Sequence, residues 1–289
     1  MIPAVINKLS GTAVQVREAL EATNEFDVSN VEPGDVSKTV QQALRMQPKR
    51  IAVGGGDGTI CAAAAVLAGT QIEFAILPGG TLNHFTRDHG IPSDLHEAAQ
   101  VAIQGSVVSV DVAYAADRLF LNTSSVGAYV SYVRLRDRLE RYMGYRLASF
   151  ASALRLLFKM RPVSVQLEVE GIVRQYMTPL VFVGIGEREF KAPMFGSRIP
   201  NGRRCLHVVV VREWRTARLV ALSIAAATQQ VALVAQTQDM DSFLVDSCLI
   251  GLGKRRQHIA LDGEIVTLST PIEYRIAHNM LTIVVPNSE

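Results

Sequence analysis

The chain has 289 residues, of which 48% are hydrophobic and 19% are charged. This composition excludes a disordered chain, and the length suits two domains better than one core. A net charge of +2 is too small to predict nucleic-acid binding, and three well-separated cysteines indicate neither a disulfide framework nor a zinc site. We expect no signal peptide, because the first residues lack a basic segment, and the most apolar stretch, residues 218–235, is too interrupted to span a membrane.

The first strand-like segment ends in a polar turn. Apolar residues 4–6 precede Asn7, Ser10 and Gly11, and a helical pattern follows at residues 14–20. Such a turn fits a capped helix start as well as it fits a contact with phosphate. The sequence leaves these two interpretations open.

A glycine-rich turn at residues 54–59 is the most informative motif of the chain. It reads Gly-Gly-Gly-Asp-Gly-Thr and joins a short apolar strand to an alanine-rich helix. Glycines let a phosphate approach the backbone N–H groups, and the helix start favours an anion there. Asp57 would repel a phosphate unless a divalent cation lies between them or the carboxylate positions a reacting hydroxyl. The motif lacks the Lys of a Walker A loop and the glycine spacing of a dinucleotide site; a plain connector is the alternative.

A second turn of the same kind follows the next strand, residues 73–77. It reads Pro-Gly-Gly-Thr-Leu-Asn-His-Phe at residues 78–85. Consecutive strands of an α/β sheet usually lie close together, and their carboxyl-end loops line one crevice. The two glycine-rich turns should therefore flank one phosphate chain.

The pattern changes in the second half of the chain. Helix 94–104 and strand 107–112 complete an α/β half, and strand 119–124 precedes a long helical pattern at residues 133–158. After Pro162 the chain alternates like antiparallel strands, at 163–169, 175–183, 206–211, 258–261, 265–268, 272–276 and 281–285. We expect a boundary near Ala116, with domains 1–116 and 117–280, and a last strand, 281–289, that can return to the first domain.

An acidic turn lies near the end of the chain. Asp262 and Glu264 flank Gly263 directly after an apolar strand, which fixes two carboxylates on a tight bend. An Asp-Gly pair is also the commonest signal of an ordinary hairpin, and spacing alone favours that interpretation.

These motifs together resemble the catalytic domain of diacylglycerol kinases, sphingosine kinases and bacterial lipid kinases. The Asp-Gly-Thr of residues 57–59 is common to the wider NAD kinase and phosphofructokinase superfamily. The loop 80–85 and the late Asp-Gly-Glu of 262–264 point to the bacterial lipid kinase branch. The resemblance implies a Rossmann-like α/β domain that binds ATP and a C-terminal β-sandwich-type domain.

The resemblance also implies roles for single residues. Glu264 or Asp262 would be the base, Asp57 would serve a Mg²⁺–phosphate site, and Asp111 matches a further family acid. The residues implied to bind ATP are Asn7, Ser10, Gly11, Gly54, Gly55, Gly56, Asp57, Gly58, Thr59, Gly79, Gly80, Thr81 and Asn83. The expected protein is cytoplasmic, binds ATP and Mg²⁺, meets a lipid substrate at the inner membrane face as a peripheral protein, and can form a homodimer.

Two departures from the family pattern concern His84 and residues 199–206. Many relatives have Asp where this chain has His84, and a branch of bacterial relatives shares the histidine. Bacterial members often carry acids that help to bind a structural magnesium in the second domain, whereas residues 199–206 contain arginines and no acid. We therefore expect that accessory magnesium site to be absent.

Basic residues form a further group whose role the sequence leaves open. Helical spacing puts Arg134, Arg138 and Arg141 on one side, and Arg136, Arg146 and residues 254–256 are also basic. A solvated face with salt bridges is the simpler interpretation, and docking on an anionic membrane is the functional one. The main function predicted is an ATP- and Mg²⁺-dependent lipid kinase; the alternatives are a non-catalytic lipid- or nucleotide-binding protein and a kinase of a soluble alcohol.

Overall fold

A computed structural model describes residues 1–127, 130, 133–136, 138, 139, 142, 144, 148, 151, 152, 162–189, 197–212 and 240–287. The chain divides into two compact units, Met1–Val112 with Ala277–Glu289 and Ala113–Ile276. The functional domain limits that we expect from the sequence, 1–116 and 117–280, stay a prediction.

The described elements alternate between helices and strands in the first part and are strands in the second. In chain order they are β1 (Ile2–Asn7), α1 (Ala13–Glu21), β2 (Phe26–Val31), a 3₁₀ turn (Pro33–Asp35), α2 (Val36–Arg45), β3 (Arg50–Gly55), α3 (Asp57–Leu67), β4 (Glu73–Pro78), α4 (His84–Asp88), α5 (Leu95–Gln104), β5 (Ser106–Ala115), β6 (Arg118–Phe120), β7 (Thr123–Gly127), β8 (Val163–Val169), β9 (Ile172–Thr178), β10 (Leu180–Ile185), β11 (Arg188–Glu189), β12 (Ser197–Arg198), β13 (Leu206–Val211), β14 (Met240–Val245), β15 (Ser247–Leu252), β16 (Arg256–Leu261), β17 (Glu264–Ser269) and β18 (Ile272–Val285).

The first unit is built on parallel strands in the order β2-β1-β3-β4-β18. β1 continues through α1 to β2 on one side, whereas β3 continues through α3 to β4 on the other side. The strand order therefore reverses between the neighbours β1 and β3. In open α/β sheets, ligands bind outside the carboxyl ends of the strands at such a point.

The strands of the first unit are buried because helices cover both faces of its sheet. Every residue of β3 and β4 is buried, as expected for parallel strands with both faces covered. α1 contacts α5 and α2 contacts α3, and right-handed crossovers put these two pairs on opposite faces. The carboxyl ends of β1, β3 and β4 are thereby held in fixed register, with Ile6 beside Gly54 and Gly54 beside Leu77.

The second unit consists of two mainly antiparallel sheets. One has the order β14-β13-β10-β7-β16-β17, and the other joins the first half of β18 to β15, β8 and β9. Both sheets contribute to one apolar core, for example through Val183 and Val208 from one sheet and Val165, Ile250 and Tyr274 from the other. Face-to-face packing of this kind is the arrangement of a β-sandwich.

Several sequence expectations about strands differ from the structure. The predicted strand 119–124 is two strands, β6 and β7, which lie in different sheets. The predicted strand 175–183 is two strands, because Pro179 has no N–H to donate and the chain changes sheets there. The predicted strands 272–276 and 281–285 are one strand, β18, which passes through a left-handed residue at Asn279. β14 and β15 were not predicted. Most of the helical pattern at 133–158, and all of 218–235, lie outside the described residues.

No helix among the described residues combines the length and the apolar character that a membrane crossing requires.

A buried ion pair fastens the amino-terminal edge of β3 and β4. Arg50 is 8% exposed, and its Nε donates to Oε2 of Glu73 at 2.8 Å. Its Nη1 donates to the carbonyls of Ala102 and Ile103, each at 2.6 Å, at the end of α5. One guanidinium therefore links two strands and a helix.

Replacing Arg50 with Met should lower the free energy of unfolding by about 3–5 kcal/mol, because Glu73 would keep a buried charge without its main partner. Lys49 also contacts Glu73, at 3.3 Å, but its side chain is 84% exposed. Lys49→Met should therefore change stability by less than about 1 kcal/mol. Urea denaturation of the two variants tests this, and equal losses would contradict it.

Candidate active site

Two loops meet across the point where the strand order reverses. Asn7 ends β1 and its Nδ2 donates to Oγ1 of Thr59 in the first turn of α3, at 2.9 Å. Oδ1 of Asn7 accepts the N–H of Leu9 at 3.0 Å, which shapes the β1–α1 loop. The structure thus brings together the first two motifs that the sequence analysis singled out.

The two glycine-rich turns touch through their backbones. A Cβ on Gly79 would lie 2.8 Å from Cα of Gly55, and a Cβ on Gly80 would lie 2.6 Å from Cα of Gly56. The N–H of Gly79 donates to the carbonyl of Gly55 at 2.8 Å. The packing of the two loops alone therefore requires glycine at these positions, whether or not a ligand binds there.

Asp57 begins α3 and faces the second glycine-rich turn. Its Oδ1 accepts the N–H of Phe85 at 3.4 Å, and the residue is partly exposed. The first-turn N–H groups of a helix have no intrahelical partner, so they can bind an anion. A single carboxylate beside bound phosphates is a usual way to hold Mg²⁺. The described residues contain no group of three His, Cys, Asp or Glu side chains that could hold a metal by themselves.

Two hydroxyls in the β1–α1 loop lack hydrogen-bond partners. Oγ of Ser10 and Oγ1 of Thr12 are buried, and neither is paired within the described part of the chain. Buried polar groups are rarely left unpaired in folded proteins, so this loop has hydrogen-bonding capacity for a ligand or for water. The sequence analysis named Ser10 and missed Thr12, which stands two residues further on at the start of α1.

The remaining residues of the second turn have different surroundings. Asn83 closes its own loop, since Oδ1 accepts the N–H of Gly80 at 2.8 Å and Nδ2 donates to the carbonyl of Gly80 at 2.9 Å. Thr81 and His84 are exposed. Gly54, by contrast, is buried, and a Cβ there would meet the side chain of Val16 at 2.6 Å. Asn83 and Gly54 thus have clear structural roles.

The acidic turn lies in the second unit, and Asp262 is fully engaged in it. Its Oδ1 accepts the N–H groups of Asn122 and Thr123, at 2.9 and 2.8 Å, and Oδ2 accepts the N–H of Leu121 at 2.6 Å. Its own N–H donates to the carbonyl of Thr123 at 2.8 Å. The carboxylate therefore organises the connection between β6 and β7.

Glu264 differs from Asp262 although both stand on one hairpin. Asp262 and Gly263 adopt left-handed conformations, with φ of 46° and 85°, and form a two-residue turn between paired Leu261 and Glu264. Glu264 begins β17 and its side chain is exposed. Nη2 of Arg136 donates to the carbonyl of Gly263 at 3.4 Å.

Asp111 contacts the last strand of the chain. It is buried in β5, where Oδ1 accepts the N–H of Asn279 at 3.0 Å and Oδ2 lies 3.2 Å from Nδ1 of His278. These contacts hold the left-handed residue inside β18. The structure gives Asp111 a role in the fold of the first unit.

Sequence reasoning missed a polar cluster next to the acidic turn. Arg188 is 5% exposed, and its Nη2 donates to the carbonyl and to Oδ1 of Asn122, at 3.0 and 2.6 Å. Its backbone N–H donates to Nδ1 of His207 at 2.9 Å, and Nε2 of His207 lies 2.7 Å from Oγ of Ser242. Burial lowers the pKa of His207 to about 4, so the imidazole is neutral at physiological pH. No motif marks these residues, because they are far apart along the chain.

Comparison with known proteins gives consistent similarities. The family model of the diacylglycerol kinase catalytic domain matches residues 4–115. A Klebsiella pneumoniae protein named Probable lipid kinase YegS-like is 34% identical over 131 residues, 43% of this chain and 44% of that protein. A Pseudomonas putida protein of the same name is 34% identical, with 54% and 52% covered, and a Staphylococcus carnosus diacylglycerol kinase is 30% identical, with 53% and 50% covered. The matches span about half the length of these curated relatives.

Solved structures extend the similarity to the whole chain. A diacylglycerol kinase from Bacillus anthracis is 22% identical with a TM-score of 0.70, over 98% of this chain and 96% of that chain. A second solved protein from the same organism is 25% identical with a TM-score of 0.76 over the same shares. These likenesses confirm the predicted fold class, an α/β half followed by a β-rich half.

Replacing Gly80 with Ala should separate the two glycine-rich turns, because the new methyl group would lie 2.6 Å from Cα of Gly56 and 2.9 Å from Oδ1 of Asn83. We expect a loss of about 1–3 kcal/mol in the free energy of unfolding, as for an overpacked core. Gly34→Ala is the control, since a Cβ there would have no atom within 4 Å. Equal stability of the two variants in urea denaturation would show that the loops do not depend on the contact.

Proposed function

Because the family model of the diacylglycerol kinase catalytic domain matches residues 4–115 and curated lipid kinases are similar to about half of the chain, we propose that it is an ATP-dependent lipid kinase. Its acceptor is a primary hydroxyl of a diacylglycerol-like or long-chain lipid. The observation that carries the proposal is the pair of packed glycine-rich turns beside the amino terminus of α3, at the point where the strand order reverses. That arrangement offers backbone donors, hydroxyls and one carboxylate to a phosphate chain.

ATP phosphates are proposed to bind the three loops that follow β1, β3 and β4. The N–H groups of the first turn of α3 would donate to phosphate oxygens, and the unpaired hydroxyls of Ser10 and Thr12 would add side-chain donors. Gly11 is open, since a Cβ there would have no protein atom within 4 Å. Adenine contacts are not part of the proposal.

Mg²⁺ is proposed to bind between Asp57 and the phosphates. The fit rests on one partly exposed carboxylate at the start of α3, which suits a cation that is shared with a phosphorylated substrate. When bound, the ion would neutralise charge on the transferring phosphoryl group. The proposal needs no metal site made of protein ligands alone.

Glu264 is proposed as the base that accepts the proton of the lipid hydroxyl. The oxygen would then bond to the γ-phosphorus as the bond to the leaving ADP breaks. The contacts of Asp262 support this choice, because its oxygens already accept three backbone N–H groups, whereas Glu264 is exposed on a fixed hairpin. Asp262 then serves to hold the turn.

Contact with an anionic membrane surface belongs to the same proposal, since a lipid kinase must reach a substrate that is not free in water. Arg134 and Arg138 are exposed, as are Lys254 and Arg255 in the β15–β16 connection and Arg256 at the start of β16. Each such cation near an anionic surface contributes about 1 kcal/mol. Arg141 and Arg146 lie outside the described residues.

A non-catalytic nucleotide- or lipid-binding protein is the second candidate. It is favoured by the three backbone N–H groups that Asp262 already accepts. Of the two acids in the turn, only Glu264 is then left to act as a base. The two candidates differ in whether phosphate is transferred, so turnover with labelled ATP and mixed micelles of a lipid panel separates them.

Gly11→Val should weaken ATP binding by at least about tenfold without changing stability. A Cβ at residue 11 would have no described protein atom within 4 Å, so we attribute a loss of affinity to the ligand's approach to the backbone. Gly34→Val is the matched control, because its site is equally open and lies in the turn Pro33–Asp35. Calorimetry that finds the same ATP affinity in both variants would rule out this loop as a phosphate site.

Glu264→Gln should retain ATP binding and stability and lose about 10²–10⁴-fold in turnover, the usual cost of removing a general base. Asp262→Asn should instead destabilise the second unit by about 1–3 kcal/mol, since an amide cannot accept all three backbone N–H groups. Kinetics and urea denaturation distinguish the two effects. Wild-type turnover in Glu264→Gln would transfer the role of base to Asp262, and ATP binding without any turnover by the unmutated protein would favour the second candidate.

A further inference from the structure

A peptide group in the second unit has a buried cation at one end and a carboxylate at the other. It joins Asn122 to Thr123: the carbonyl of Asn122 accepts from Nη2 of Arg188 at 3.0 Å, and the N–H of Thr123 donates to Oδ1 of Asp262 at 2.8 Å. A cation at the carbonyl polarises the peptide group and makes its N–H a stronger donor. Hydrogen bonds to charged partners are also stronger than neutral ones.

We propose that Arg188 is a positioning residue that fixes the Asp262–Glu264 turn by acting through this peptide group. The chain of contacts runs from Arg188 to Asn122, from the Asn122–Thr123 peptide to Asp262, and along the hairpin to Glu264. The inference deepens the proposed function, on which the role of Glu264 rests. In this scheme Arg188 acts through Asn122 and Asp262 and takes no part in the proton transfer itself.

The side chain of Arg188 packs against the backbone of β10. It crosses the backbone of Gly184 so closely that a Cβ there would overlap Nε of Arg188. Gly184 stands in β10 between Thr123 of β7 and His207 of β13. The glycine therefore lets the guanidinium reach Asn122 across the sheet.

Hydrogen bonds hold both the guanidinium and the backbone N–H of Arg188. The side-chain amide oxygen of Asn122 accepts a second bond from the same Nη2, at 2.6 Å, so the guanidinium contacts the residue twice. The backbone N–H of Arg188 is bound by Nδ1 of His207 at 2.9 Å, which requires that nitrogen to be unprotonated. These hydrogen bonds offset part of the cost of burying the guanidinium charge.

Arg198 provides a matched control within the same ribbon. It pairs with Arg188 in register, and its guanidinium lies over Gly186, where a Cβ would meet Nε at 2.6 Å. Arg188 and Arg198 therefore share residue type, strand pair and glycine contact. Arg188 is buried and binds Asn122, whereas Arg198 is partly exposed.

The test compares Arg188→Met, Arg188→Lys and Arg198→Met by residue-resolved hydrogen exchange. Arg188→Met should speed exchange of the amides of Leu121, Asn122 and Thr123 by roughly tenfold or more, since all three donate to Asp262. Arg188→Lys should have a smaller effect, because the charge remains and the fork geometry is lost. Exchange at residues 208–210 of β13 should stay unchanged.

Three exchange results would overturn the proposal. The first is unchanged exchange at Leu121, Asn122 and Thr123 in Arg188→Met. The second is exchange at residues 208–210 that is accelerated as much as at those three amides. The third is the same acceleration of the three amides in Arg198→Met. The second result would mean that Arg188 only stabilises the unit, and the third that any arginine of the ribbon has this effect. Exchange needs no activity, so these outcomes decide the positioning of the turn by themselves.

Turnover on dioleoylglycerol in mixed micelles tests the catalytic consequence. A misplaced base should lower kcat by roughly 10²-fold with KM for ATP changed by less than about twofold. Arg188→Met should cost nothing further in the Glu264→Gln background, because both changes remove one function. An additive loss would overturn the link to Glu264. Altered exchange together with no turnover by the unmutated protein would instead reject the proposed function and retain the positioning role.

Discussion

The close contact between the two glycine-rich turns is the constraint on which the first unit's candidate site depends. Gly55 and Gly56 meet Gly79 and Gly80 backbone to backbone, with a hydrogen bond of 2.8 Å from the N–H of Gly79 to the carbonyl of Gly55. Any side chain between them would force the loops apart. The contact places the start of α3 next to the start of α4, so that Asp57 can accept the N–H of Phe85.

This contact changes how glycine-rich motifs are interpreted. A run of glycines beside a helix start suggests that a ligand approaches the backbone closely. Here Gly56, Gly79 and Gly80 are already explained by the approach of the other loop, and Gly55 by the side chain of Thr59. Gly11 is different, because a Cβ there would have no atom of the described residues within 4 Å. An open glycine therefore says more about a ligand than a packed one does.

The acidic turn shows the same division between structure and chemistry. Two carboxylates at residues 262 and 264 look equivalent in the sequence, but one accepts three backbone N–H groups and the other is exposed. The left-handed turn at Asp262 and Gly263 turns the first acid toward the β6–β7 connection. Local spacing predicts the hairpin and cannot predict the partners, which lie about 140 residues away along the chain.

The same limit explains how much could be predicted elsewhere. Strand-to-helix alternation and glycine turns are local signals, so the α/β half, its three loops and most antiparallel strands followed from the sequence. The bond from Asn7 to Thr59 and the unpaired hydroxyl of Thr12 depend on which loops become neighbours. Arg188 could not be predicted, since its function depends on Asn122 and on a missing side chain at Gly184.

The contacts of residues 199–206 show how this arginine-rich segment is held in place. Oε2 of Glu187 accepts the N–H of Arg203 at 3.0 Å, and the backbones of the same two residues form a second bond of 3.0 Å. The carboxylate of Glu187, which lies between β10 and β11, therefore accepts a backbone N–H of this loop, and the loop itself contains no acid. The adjacent residue, Arg188, extends a buried positive charge toward Asn122. The position of this charge therefore depends on the packing of Arg188 over Gly184.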